Sequence, residues 1–228
     1  MANAGFNAAT DIFSMGAKWK VKNSSLNGSV STAECPNRYN DVTHRDQYGE
    51  KIAPTATYEC VDDVDELPDI GSIVTIDSKK VAIQKIVVTT AKGAAPTADV
   101  TGVQVQSGAT EVRTYSCGTV AISPRHRAQD VTGDLGNSTP DTLTGATFTF
   151  EANVQPSEPK GEIVNHDVSN GRYEAAYTFT SGTGTPPSAP TVSGSKVVSG
   201  PVTPVHPEND YVTYSLSVTD SLTGTDAS

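Results

Sequence analysis

Leucine is scarce in this chain, six residues in 228, while valine and threonine number 25 and 29. Helical proteins draw their cores from unbranched side chains, whereas β-branched ones suit a pleated surface, so the shortage of one and the excess of the other predict an all-β fold. Basic residues are also short, 16 against 26 acidic ones, for a net charge of −10. That balance excludes a clamp that holds nucleic acid by neutralising its phosphates, though a surface that repels DNA stays open. No apolar run approaches the roughly 18 residues that span a bilayer, and MANAGFNAATDIFSMGAK lacks the basic start and apolar centre of a secretory signal. The expectation is a soluble protein made in the cytoplasm, with no membrane partner. Three cysteines, Cys35, Cys60 and Cys117, form no CxxC pair. They make neither a zinc framework nor a full disulfide framework and are expected as buried or half-buried thiols. With one tryptophan, Trp19, the chain is also poor in the stacking aromatics of sugar-cleaving enzymes.

What is present is a succession of short alternating segments. Lys18 to Lys22 alternates basic residues with Trp19 and Val21, the period of a strand with one buried face. Leu26 to Glu34 reads as a second strand and Pro36 to Gly49 as a polar loop. Ile52 to Cys60 then places Ile52, Ala56, Tyr58 and Cys60 on one side, with Pro54 suggesting an edge or a strand start. The run ECVDDVDELPD carries six carboxylates and no base: Glu59, Asp62, Asp63, Asp65, Glu66 and Asp69. Like-charge repulsion predicts a solvent-facing loop there. From Ser72 to Thr90 two apolar strands meet at Asp77-Ser78 as a hairpin. This run is rich in Val and Ile and free of proline, so Val81, Ile83, Ile86, Val87 and Val88 are the candidate inter-subunit strand: left at an edge, it would need a partner.

Further strands are expected at Asp99 to Gln106, Thr110 to Ile122, Leu143 to Val154 and Arg172 to Thr180. A Gly/Asn/Pro-rich connection starts at Pro124, and the Pro/Gly-rich stretch from Ser181 to Pro207 reads as an extended arm. The chain thus divides into residues 1–123, one β-sandwich half with an N-terminal arm; 124–180, strands completing the same or a duplicated domain; and 181–228, arm and last strand. In that last strand Val212, Tyr214, Leu216 and Val218 alternate with polar residues and need a sheet to join. LNGSVSTAEC from Leu26 also returns as LTGATFTFEA from Leu143, through a worn duplication or through shared composition.

Motifs for chemistry are missing. His44-Arg45-Asp46 matches the start of the kinase catalytic loop, but Lys51 stands where that loop needs a metal-binding Asn. His44, His126, His166 and His206 are dispersed in polar contexts and read as solvated, without ligand spacing. The acidic run lacks the spacing and glycine of a calcium loop, and no GxSxG or phosphate-binding glycine motif follows a strand. No catalytic residue, metal site or cofactor is expected.

The order of features does resemble a known family. The opening MANAGFNAATDIFSMGAKWKV leads into LNGSVSTAEC and KIAPTATYECV, then an acidic loop, then the hairpin GSIVTIDSKKVAIQKIVVTT. Over roughly residues 1 to 122 this is similar to the tail tube proteins of long-tailed bacteriophages. The resemblance implies a split β-sandwich or split barrel whose six copies close into a ring, with rings stacked into a tube through which DNA passes, and it makes the acidic loop a candidate for facing that lumen. It further implies partners that are copies of the chain itself and other tail proteins, a place in the virion tail after assembly in the host cytoplasm, and no catalytic residues. The long Ser181 to Pro207 segment departs from that pattern. Two other readings share the acidity and the Thr-rich strands: a head decoration protein and a receptor-binding fibre module.

Overall fold

The computed structural model describes residues 11–36, 42–60, 67–91, 93–117, 142–159, 162–181, 197–199 and 212–227. Among these there is no helix, and the fold is all-β. Eleven strands follow one another: β1 Trp19–Pro36, β2 Val42–Cys60, β3 Ile73–Ile76, β4 Lys79–Ala91, β5 Thr97–Gln104, β6 Arg113–Tyr115, β7 Thr142–Ser157, β8 Asn165–Ser181, β9 Val197–Ser199, β10 Val212–Ser221 and β11 Gly224–Asp226. Nine of them form one antiparallel sheet in the order β1-β2-β5-β4-β7-β8-β10-β9, with β3 also on β4. β11 pairs with β6 in a small second sheet.

Side-chain alternation gives this sheet one dry face, and the register lines it up. Tyr58, Ala98, Val88, Phe148, Ala175 and Val218 form a continuous row of direct partners across six strands. None of the six is more than 4% exposed. The next row holds Ala56, Val100, Ile86, Phe150 and Tyr173, with Phe148 set edge-on to Tyr177 at 5.7 Å. On the opposite face lie hydroxyls and charges such as Thr57, Asp99, Thr149, Lys85, Glu151 and Arg172, with a Lys85–Glu151 ion pair at 3.0 Å.

The dry face needs a cover, and three segments supply it. Ile12, Phe13 and Met15 lie over the β2–β5 end, where Phe13 N–H donates to the Tyr58 hydroxyl and the ring occupies the space left by Gly102. The Leu67 to Gly71 segment runs from beside Met15 and Trp19 to Val168 of β8, and its Gly71 end and the strap from Val105 to Cys117 cover the β7–β8 end. Ile70 exchanges backbone hydrogen bonds with Tyr115, whose ring fills the position a side chain on Gly171 would take.

β4 organises the molecule. β5 occupies one of its edges from Val81 to Thr89, so β3 and β7 must share the other, β3 along Lys79–Ala82 and β7 along Lys85–Ala91. Past Glu151, β7 therefore leaves β4 and continues with β8 as a separate two-stranded layer. Bulges lie at that level in both places, at Gln84 of β4 and at Asn170-Gly171 of β8, where Asn170 takes a left-handed backbone (φ 56°). An inserted residue bends its strand and increases the twist, which is what the divergence requires. The departing layer reaches back over the core: Glu158 pairs with Lys51 of β2, and His166 contacts Gln106 beyond β5.

Several sequence expectations are corrected here. β4 is interior, with partners on both edges, so Val81, Ile83, Ile86, Val87 and Val88 have no open backbone to offer another subunit. Residues 42–49 are strand, not loop, because they pair with β1 in a long hairpin. Leu26 to Glu34 is the continuation of the Trp19 strand. Of Thr110 to Ile122 only Arg113–Tyr115 is strand among the described residues. Glu59 lies in β2, opposite Lys20 and ion-paired with Lys22, and is not part of a loop. His166 is a buried strand residue, not a solvated one. By contrast, Asp77 and Ser78 form the expected two-residue turn, both with positive φ as a type I′ hairpin requires. β10 joins β8 of its own chain, and Val218 is fully buried.

Candidate assembly interface

Among the described residues no group of His, Cys, Asp or Glu could hold a metal ion. Three buried titratable side chains, Tyr58, Cys117 and His166, are shifted away from reactivity. Burial, reinforced by the neighbouring Asp11 carboxylate, pushes the Tyr58 hydroxyl well above its ordinary value, and it donates to Asp11 Oδ1 at 3.0 Å. Burial likewise pushes the Cys117 thiol up to about 12, and it donates to the Pro68 carbonyl. Neither Cys60 nor Cys117 is disulfide-bonded. Burial holds His166 below the usual imidazole value, against the opposing field of Asp167.

The feature with chemical potential is backbone. Among the described residues β1 stands at the end of the sheet order and pairs only with β2, so along its other edge no described strand takes its N–H and C=O groups. Bulges interrupt it between Val21 and Asn23, Ser29 and Ser31, and Cys35 and Pro36. Between the first two lies an uninterrupted run, Asn23-Ser24-Ser25-Leu26-Asn27-Gly28-Ser29, with no proline and no charge. Natural sheets blunt their edges with lysine, proline or bulges. Here the bulges bracket the run and leave its centre available, with Lys20 and Lys22 on its N-terminal side. The Ser24 hydroxyl is shielded from solvent yet makes no hydrogen bond.

Beyond this run the β1–β2 hairpin outgrows the sheet. β5 pairs with β2 only along Thr55–Glu59. Two residues before Thr55's neighbour Pro54, the Ile52 N–H donates to the Gln104 side chain at 2.8 Å. Pro54 has no N–H to give to that same edge, so the ladder stops there. Ser31–Pro36 opposite Val42–Tyr48 then continues for six residues, about 20 Å at strand rise.

The far end of the sheet is also incompletely closed. β10 is covered on its outer side by β9 only along Ser217–Thr219, leaving Val212–Leu216 with a single partner strand among those described.

Of the sequence-derived acidic residues, Glu59 lies on the wet face of β2, and Asp69 is half-buried, its carbonyl accepting from the Ser72 hydroxyl at 2.7 Å. Asp62, Asp63, Asp65 and Glu66 lie outside the described residues. Of the expected arm from Ser181 to Pro207, Ser181 is in β8 and Val197–Ser199 form β9; residues 182–196 and 200–207 lie outside the described residues. Sequence reasoning missed the β1 edge because its unremarkable Ser/Asn/Gly composition carries no hydrophobic signal. No family model and no curated protein matches the chain.

Proposed function

We propose that this chain is a structural subunit that self-assembles by strand addition at its sheet edges, a tail tube protein of the long-tailed bacteriophage type. Copies would close into rings, rings would stack, and the lumen would conduct DNA. The observation that carries the reading is the open β1 edge with its seven-residue uncharged, bulge-free centre. The partially open β10 supports it, because two different edges make a head-to-tail contact, and such contacts close into a ring where the rotation between copies completes a circle. Strand directions alternate across the sheet and β1 and β10 are six positions apart, so the seam between copies is a parallel pair. The split β7–β8 layer suits the split sandwich of that family, and ten surplus negative charges per copy suit a channel that DNA must not stick to.

The test uses two proline variants, Ser24→Pro and Ser25→Pro. Successive N–H groups in a strand face opposite edges, so one substitution removes a donor toward the neighbour and the other a donor toward β2. Negative-stain microscopy and sedimentation of the unaltered chain should show rings or tubes. One of the two variants should keep its far-UV circular dichroism and lose the polymer. Monodisperse monomers or trimers of the unaltered chain would favour a decoration or fibre module, and polymer unaffected by either proline would remove the β1 edge from the interface.

A further inference from the structure

After β7 leaves β4, no backbone hydrogen bond among the described residues ties Asn153–Ser157 and Asn165–Ser169 to the rest of the sheet, and side chains hold this layer over the core. Val154 and Val168 are buried beneath it, and Glu158 pairs with Lys51 at its rim. One polar contact lies inside. His166, opposite Pro156 in the hairpin, is 3% exposed, and its Nδ1 stands 3.0 Å from Oε1 of Gln106, in the turn that follows β5. That turn is itself anchored, since Val105 N–H donates to the Lys80 carbonyl and Ala109 N–H to the Gln106 carbonyl. The other ring nitrogen, Nε2, is buried and makes no hydrogen bond.

We infer that the His166–Gln106 contact is an acid-released latch holding the β7–β8 layer over the core. A neutral imidazole fits the site: the Nδ1 hydrogen is donated to the Gln106 oxygen, and bare Nε2 faces a dry environment. Protonation places a second N–H and a full charge there with no acceptor. Among the described residues no charged group supplies the missing acceptor, and the field of Asp167 offsets burial only in part. Asp167, next on β8, is exposed. Glu158 at the end of β7 is committed to Lys51 of β2, and Lys80 of β4 donates to Thr75. On the strap, Glu111 is exposed and Arg113 is paired with Asp226; the Asp69 carbonyl on the Leu67 to Gly71 segment accepts from Ser72. Burial lowers the imidazole's proton affinity in the closed layer, so the closed state refuses a proton that the opened state accepts. Above the ordinary histidine value of about 6.5 the ring is neutral in both states and the latch is at full strength. Below it, closure weakens as pH falls, until the depressed value of the closed state is reached.

Hydrogen exchange read by mass spectrometry on the full chain tests this at pH 7.5 and pH 5.5, corrected for intrinsic exchange and referenced to β4–β5 peptides. Protection of Asn153 to Ser169 should fall by up to about tenfold per pH unit below 6.5 while the reference holds. His166→Gln should abolish that pH dependence. Gln106→Glu, which gives the imidazolium a carboxylate, should preserve protection at pH 5.5. Equal protection of the unaltered chain at both pH values overturns the latch, as does an undiminished fall in His166→Gln. Should His166→Gln fail to fold, a fall in Gln106→Glu as large as in the unaltered chain has the same force.

Discussion

A proline at Ile83 separates the two roles that β4 could play. If β4 were an edge strand used between subunits, Ile83→Pro would cost assembly and spare the fold. In the structure its N–H donates to the Ser72 carbonyl at 3.0 Å, and the residue pairs with Gly102 on the other side. Losing that bond leaves a carbonyl without its donor, worth about 1–3 kcal/mol in a buried setting. The isoleucine is fully buried, and exchanging it for the smaller ring adds about 1–3 kcal/mol of lost packing. The total, about 4 kcal/mol, is close to the whole stability of a domain at the low end of the usual ~5–15 kcal/mol. Urea titration followed by far-UV circular dichroism should therefore show a greatly lowered midpoint or an unfolded chain. Val87→Pro, on the wet face, loses a ladder bond but little packing and should cost less. A parental midpoint in Ile83→Pro together with lost polymer would refute the interior placement of β4 and restore it as the inter-subunit strand.

Two further outcomes are expected. Phe148→Ala opens a cavity in the middle of the six-strand row and removes the edge-on contact with Tyr177, and should cost about 3–5 kcal/mol by chemical denaturation. The Cys117 thiol, raised to about 12, should resist a thiol reagent at pH 8 in the folded chain and react when urea opens it, which time-resolved labelling of Cys117 followed by peptide mapping reads directly.

Much of the local structure was legible in the sequence. Asp77-Ser78 between two apolar runs announced the β3–β4 hairpin, and the alternation around Tyr58 and Val218 announced strands with one dry face. Trp19 was recognisable as core, and it is 5% exposed. What escaped was set by distant partners. Residues 42–49 are mostly polar and carry no apolar period in the sequence, so their strand character comes from pairing with β1, which no local window contains. β4 looked like an unprotected edge because β5, β7 and β3 take its backbone groups by pairings that sequence does not encode locally. His166 sits among polar neighbours along the chain, yet the split of the sheet carries it under the strap. The similar stretches LNGSVSTAEC and LTGATFTFEA fall on β1 and β7, the first strands of the two long hairpins, four positions apart and running the same way. The uncharged centre of β1 became recognisable as a site only once its missing neighbour was visible.

The placement of β4 and β5 between two long hairpins also sets an order of events for the folding chain. β1–β2, β3–β4 and β7–β8 each join strands that follow one another along the chain, and hairpins of this kind form within microseconds. The dry row is completed differently: Tyr58 meets Ala98 across 40 residues, and Val88 meets Phe148 across 60. Closing such loops costs chain entropy before any contact compensates for it, which slows folding in β proteins. A nascent chain that has emitted β1 to β5 therefore holds β4 with its β7 edge still vacant while some 50 further residues emerge. During that interval a strand that supplies Val81, Ile83, Ile86 and Val88 to the core is unpaired along one edge, and the delay before β7 arrives, more than the finished structure, is where mispairing between copies competes with folding.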